Sequence, residues 1–388
     1  MLPILYPSTS TKNDLLGHNG LGFLKDSLTC EVSRAINGEY EISGTILATD
    51  RLADSLTPMQ YVKAPPSATE DAQIFEIYET ATQGNSISYK GQHIRYKLAS
   101  NAFSESYLPV VARTPVETWN AIQEYFIDEN TDFTFSSTLT TTGIPWAAAL
   151  YPTRVGDFLL GQQGSMLDTY GGEYDFDNFA ITLKSRLGSD TGYCLRCGAG
   201  IDSAEYSVNT DYMYSHISAY ATLPYVLSTT GETIGEFTVY LDAPISTGGT
   251  LLSYNRYLLY DFSETYKSYD TQAKVLTPNG TYPDSTSLAA AKSKLTSLVN
   301  KYISRNSDVL TKPTFNAEIK PTATDEQVKQ LVLGDTVYIY YEPFNLQSQA
   351  RVISTTYDVL GERYKNVEIG FTKKNLANLF SNKNIGGH

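Results

Sequence analysis

Cys30-Glu31-Val32-Ser33-Arg34-Ala35-Ile36-Asn37-Gly38-Glu39-Tyr40-Glu41-Ile42-Ser43-Gly44-Thr45-Ile46 sets the class of this chain. Asn37-Gly38 is a preferred pair for a two-residue hairpin turn, because both residues tolerate a left-handed backbone. Tyr40, Ile42, Gly44 and Ile46 then recur with period two, the spacing of a strand with one buried face. Downstream, Ile74–Thr80 and Ser86–Tyr89 flank Gln83-Gly84-Asn85, a second hairpin signal, and 92–98 alternates again. Residues 1–100 therefore read as a first antiparallel β barrel or sandwich.

Beyond residue 100 the pattern becomes mixed. Thr114-Pro115-Val116-Glu117 combines a Thr cap, Pro at the first helical position and Glu three residues after the cap. Val116, Trp119, Ile122 and Phe126 mark one face of the helix it opens. A Gly-interrupted helical stretch is expected between Arg154 and Tyr170, and a hairpin turning at Asp177-Asn178. Residues 101–205 thus read as an α+β unit. Tyr212–Thr222 reads as a strand leaving that unit, and a second, split barrel is expected from 206–241 together with 313–372. Its cues are a capping box at Thr324-Asp325-Glu326-Gln327, the Leu333-Gly334-Asp335-Thr336 turn, and a closing hairpin around Leu360-Gly361-Glu362 that echoes the first one. Residues 242–312 read as an inserted α+β unit. There Leu288, Ala291, Leu295, Leu298, Val299, Tyr302 and Ile303 form one apolar helical stripe, expected to pack on the unit's own sheet. Residues 373–388 read as a C-terminal helix and tail. The fold class is mainly β with α+β parts.

The chain has 388 residues, enough for two to four packed units at about 100–200 residues each. Its net charge of −13 and the absence of any basic cluster longer than Lys373-Lys374 with Lys383 exclude a counterion-releasing nucleic-acid binder. An acidic wall suits a channel that DNA passes without sticking. Three cysteines, Cys30, Cys194 and Cys197, do not make a disulfide scaffold and fit assembly in a reducing cytoplasm. Met1–Pro7 is short and lacks a basic flank, so no signal peptide is expected; nor is a membrane span, since no run of about 18 apolar residues occurs. Charged residues are only 18% and tyrosines number 30, a balance that favours strands and wide contact surfaces over solvated helices.

The search for chemistry returns isolated residues. His18, His93, His216 and His388 form no H-E-x-x-H or His-x-His pair, and a zinc site needs three convergent ligands. Cys194-Leu195-Arg196-Cys197 is a lone C-x-x-C without a second unit, between strand-like residues and the Gly198-Ala199-Gly200 turn. Cys30 lies in a strand. Asp168 with Glu173 and Asp175 with Asp177 could act as carboxylate pairs, but an acidic β protein offers many. Gly161, Gly164, Gly171 and Gly172 do not follow the phosphate-loop spacing, and neither Asp157–Gly161 nor Asp325-Glu326 follows a calcium loop. Tyr338, Tyr340 and Tyr341, and Tyr254, Tyr257 and Tyr260, could form saccharide platforms; as sheet faces or subunit contacts they need no ligand. No catalytic, cofactor-binding or metal-ligating residue and no cofactor is assigned.

One run is more specific: Gly164-Ser165-Met166-Leu167-Asp168-Thr169-Tyr170-Gly171-Gly172-Glu173-Tyr174-Asp175-Phe176-Asp177-Asn178-Phe179. It resembles the signature stretch of phage tail-associated proteins of the prophage endopeptidase tail family. Leu333–Val337, Ala350-Arg351-Val352, Thr356–Leu360 with Arg363-Tyr364, and the opening Gly20-Leu21-Gly22, Cys30–Val32 and Asn37–Glu41 resemble it too, in the expected order. The resemblance implies a multidomain baseplate-hub fold with two related β-barrel domains per chain. It implies a homotrimer closing the tail tube below the distal tail protein, contact with the tape measure protein and with receptor-binding proteins, and opening for DNA ejection. Location at the virion's tail tip, after assembly in the host cytoplasm, follows from the same resemblance. The endopeptidase of the family name belongs to C-terminal extensions of longer members; only a short tail follows Phe380 here, so no enzyme activity is expected. The alternatives are a tail-associated cell-wall hydrolase, which needs a convergent His/Cys/Asp group, and a host saccharide-binding module, which needs an exposed aromatic platform.

Overall fold

The computed structural model describes residues 2–370 apart from 18–19, 108, 110, 129–131, 150, 162, 198–199, 202, 210–212, 249–253, 271, 312–313, 321–325 and 342–345. The opening hairpin forms as expected, Ser27–Ala35 against Tyr40–Leu47 in antiparallel register. Its turn is longer than a two-residue one. Ala35 N–H donates to the Glu39 carbonyl, which leaves three residues in the loop, and of these Asn37 alone has positive φ, at 52°. The Asn37 side chain is engaged elsewhere, as described below. Gln73–Gln83 and Ser86–His93 close around Gly84-Asn85, as the sequence indicates. The third hairpin, Glu173–Asp177 with Ala180–Lys184, turns at Asn178-Phe179, one residue later than expected.

These strands do not make two free-standing barrels. Ser27–Ala35 pairs along its other edge with Leu346–Asp358, from Ala35 opposite Ser354 to Glu31 opposite Asp358. One curled, 14-stranded sheet results, running through both ends of the chain. One apolar core backs it, with Cys30, Val32, Ile42 and Phe75 from the first segment beside Val337, Val352, Tyr357 and Ile369 from the last. The molecule is thus mainly β, and the two segments expected as separate barrels share a sheet and a core.

Two boundaries move. Asp190–Cys197, assigned by sequence to the α+β unit, pairs in parallel with Thr336–Tyr341, and Ser203–Asn209 pairs with Thr314–Lys320; both lie in the large sheet. His216–Leu227 and Thr233–Tyr240, expected in the second barrel, instead build a separate five-stranded sheet with Ile245–Ser246, Tyr257–Asp261 and Val275–Thr277. The reason is packing on a helix. His216–Leu227 alternates buried and half-buried side chains, which suits either sheet, and its inward residues Ile217, Ala219, Ala221 and Leu223 meet the helix Ser285–Thr311. That helix lays Ala291, Leu295, Leu298 and Val299 on this sheet, as its stripe predicts.

A second core gathers around a three-stranded sheet of Thr134–Ser137, Ala180–Lys184 and Glu173–Asp177. Its helix Pro115–Ile122 has the expected capping box, Thr114 Oγ1 accepting from Glu117 N–H while the Glu117 carboxylate accepts from Thr114 N–H. Trp119, Ile122 and Phe126 pack inward with Phe103, Phe158 and Tyr174. The interrupted stretch after Arg154 resolves into a short π-helix, Asp157–Gly161, and the α-helix Met166–Tyr170. Residues 373–388 lie outside the described residues, as do Lys373, Lys374 and Lys383; the cap at Thr324-Asp325 does too, although the short helix Glu326–Lys329 follows it.

Candidate functional site

The run 164–179 sits where the three cores meet, and its side chains and backbone together reach each of them. Ser165 Oγ caps the helix Met166–Tyr170 by accepting from Asp168 N–H, and Asp168 Oδ2 accepts from Gly164 N–H at 2.9 Å. Gly164 has φ of +79°, and a Cβ there would stand 2.4 Å from the Trp146 ring. At Gly172, φ +92°, a Cβ would lie 2.4 Å from the Lys184 carbonyl oxygen. These glycines are required by close packing and left-handed backbone rather than by a phosphate.

Toward the first segment, Tyr174 N–H donates to Asn37 Oδ1 at 2.8 Å, and Asn37 Nδ2 donates to the Gly172 carbonyl. Asn178 reciprocates with strand Gln73–Gln83: its N–H donates to Gln73 Oε1 and its Oδ1 accepts from Ile74 N–H. Gln73 Nε2 donates to Asp177 Oδ1. Toward the last segment, Glu173 accepts both arms of the Arg351 guanidinium at 2.6 and 2.8 Å, and Leu187 N–H at 2.7 Å. Arg351 also donates to the Gly334 and Leu187 carbonyls. The Glu173 side chain is only 3% exposed, so this planar, two-pronged pair is shielded from solvent and salt. Toward the inserted unit, Arg305 Nη1 donates to the Asp168 carbonyl at 3.3 Å.

The carboxylates proposed as pairs are therefore occupied. Glu173 holds Arg351, Asp175 holds Lys184 and Asp177 holds Gln73. Asp168 is mostly buried, and burial raises its pKa against the opposing pull of the Gly164 N–H and Arg305.

The other single residues fall apart in space. His93 is fully buried and stacked on Tyr40 at 4.3 Å. It donates from Nε2 to Gln73 Oε1 and accepts at Nδ1 from Arg95 N–H, and burial holds its pKa well below the usual value. His216 lies in the other sheet, beside Ser215 and the Tyr257 ring. His18 and His388 lie outside the described residues. Cys30 is buried and its thiol is pushed up to about 12, chiefly by burial, which removes it as a nucleophile at neutral pH. Cys194 is exposed; the Cys197 side chain lies outside the described residues. Among the described residues, no three of His, Cys, Asp and Glu gather as a metal would need. No helix there is long and apolar enough to cross a membrane. Tyr338 and Tyr340 are exposed on one sheet face, whereas Tyr341's side chain lies outside the described residues. Tyr254 and Tyr257 face solvent while Tyr260 points into the third core, so that trio is not one platform.

Residues 189–379 match the family whose description is prophage endopeptidase tail. No curated protein matches the chain. Solved structures of similar fold span nearly the whole length. Prophage tail protein gp18 from Listeria monocytogenes EGD-e is 13% identical, with 98% of each chain covered and a TM-score of 0.56. The 43 kDa tail protein of prophage MuSo2 from Shewanella oneidensis is 10% identical over 96% of this chain and 98% of that one, also at 0.56. A tail protein from Neisseria meningitidis MC58 is 6% identical over 95% and 96%, at 0.51. At these identities the likeness is one of fold. In this chain the run 164–179 is a structural joint. Sequence reasoning located the run but missed its partners Asn37, Gln73, Arg305 and Arg351 as a set, because nothing local marks them.

Proposed function

We propose that this chain is a mechanical part of a phage tail tip: a hub of which three copies close into a ring beneath the distal tail protein. In this reading it meets the tape measure protein above, carries receptor-binding proteins around it, and opens to let DNA leave. It performs no hydrolysis itself. The observation that carries the reading is the joint at 164–179, where Glu173, Asp177 and Asn178 are spent on holding the cores together. Fold likeness to tail proteins along nearly the full chain supports it. A net charge of −13 suits a wall past which DNA slides. Permanent ring interfaces of this kind bury on the order of 2,000–5,000 Å². The exposed Tyr338, Tyr340, Tyr254 and Tyr257 supply the sort of area such contacts use. Native mass spectrometry of the chain, alone and mixed with the distal tail protein of the same phage, is expected to give a trimer. Monomer under both conditions would refute the ring.

A further inference from the structure

A cavity of about 310 Å³ opens between the joint and the inserted unit, at the small end of the range for ligand sites. Trp146, Tyr260, Phe262, Tyr269 and Tyr302 are among the rings that line it. Tyr260, Phe262 and Tyr302 pack as one cluster, with ring centres 4.6 Å apart for Tyr260 and Phe262 and 4.7 Å for Tyr260 and Tyr302. Tyr260 and Tyr302 line the cavity, and among the described residues their hydroxyls make no bond to the protein and are not sealed from solvent. Asp168 lines the same cavity with one carboxylate oxygen committed to Gly164 N–H and the other without a protein donor among the described residues.

These atoms narrow the chemistry. Two phenols can each donate and accept, and a carboxylate oxygen accepts from neighbouring hydroxyls. The carboxylate disfavours an anion beside it, and both cations on the same wall are engaged, Lys301 with Tyr269 Oη at 3.0 Å and Arg305 with the Asp168 carbonyl at 3.3 Å. Burial and the nearby Asp168 charge both push the Tyr302 hydroxyl up, so it stays a proton donor at physiological pH. What matches is a neutral ring with several hydroxyls on its edge and C–H bonds on its faces. We infer that this cavity binds a single sugar residue, free or at the end of a glycan, with Tyr260, Tyr302 and Asp168 holding its hydroxyls and the surrounding rings covering its face. The site needs neither trimerisation nor DNA passage and stands apart from the hub reading.

Saturation-transfer NMR on the full chain tests it, with glucose, galactose, rhamnose and N-acetylglucosamine as probes and glycerol phosphate as the anionic control. At least one neutral sugar is expected to saturate at or below about 10 mM, with glycerol phosphate silent. The double variant Tyr260→Phe/Tyr302→Phe keeps both rings and removes only the two hydroxyls. It is expected to melt where the parent does and to bind the sugar about tenfold or more weakly, from two lost hydrogen bonds. Saturation by none of the sugars, by glycerol phosphate alone, or equally by the double variant would each overturn the site.

Discussion

His93 illustrates how burial fixes a protonation state. Its Nε2 carries the proton that Gln73 Oε1 accepts, and its Nδ1 must stay bare to receive Arg95 N–H. A second proton would set two donors against each other inside an apolar core. The folded pKa accordingly lies well below the usual value, with burial the largest cause and the charges of Arg95 and Arg34 adding to it. The unfolded chain therefore takes up the proton first. Stability present in full above about pH 6.5 is lost as pH falls, at up to about 1.4 kcal/mol per unit. Melting curves between pH 7.5 and 5.5 should show this slope, and His93→Gln should flatten it; an unchanged slope in the variant would assign it elsewhere. Glu173 is a second residue whose loss is predictable. Glu173→Gln leaves the partly buried Arg351 guanidinium with only the Gly334 and Leu187 carbonyls, a change that costs about 1.5–3 kcal/mol. Urea unfolding followed by tryptophan fluorescence reports it, since Trp119 and Trp146 lie in the neighbouring unit. A cost below about 1 kcal/mol would show the pair to be dispensable.

Individual elements were legible in proportion to how local their causes are. The Thr114–Glu117 capping box, the Gly84-Asn85 turn and the stripe on Ser285–Thr311 each depend on residues within a few positions, and each forms as read. Sheet membership does not depend on local residues. His216–Leu227 presents the same alternation whichever sheet it joins, and only its packing on Ser285–Thr311 decides the matter. The joint was opaque for the same reason. Asn37 meets Tyr174 from 137 positions away and Glu173 meets Arg351 from 178, and a polar side chain gives no sign of so remote a partner. The separate third core has a measurable corollary. Leu295 is fully buried in it, so Leu295→Ala should cost about 2–5 kcal/mol. Hydrogen exchange should then quicken at the amides of His216–Leu227 and remain slow in Ser27–Ala35. Equal quickening in both strands would mean that the cores open together.

For the molecule as a whole, the proposed ring of three copies would tie stability to concentration. If folded chains associate and unfolded ones do not, the melting midpoint rises with protein concentration. Calorimetry across about a hundredfold range of concentration should show that rise, and a flat midpoint would speak against self-association. The large sheet carries one more consequence, for the order of events during synthesis. Lys365 reaches Glu31 across 334 positions, and the neighbouring strand Leu346–Asp358 covers the outer edge of Ser27–Ala35. The opening hairpin leaves the ribosome long before that cover exists. Meanwhile it offers a bare row of amides and carbonyls, a template on which other nascent chains can stack. Late closure of this kind makes the hairpin a natural client for a holding chaperone, and a ribosome stalled before residue 346 would release a product prone to clump.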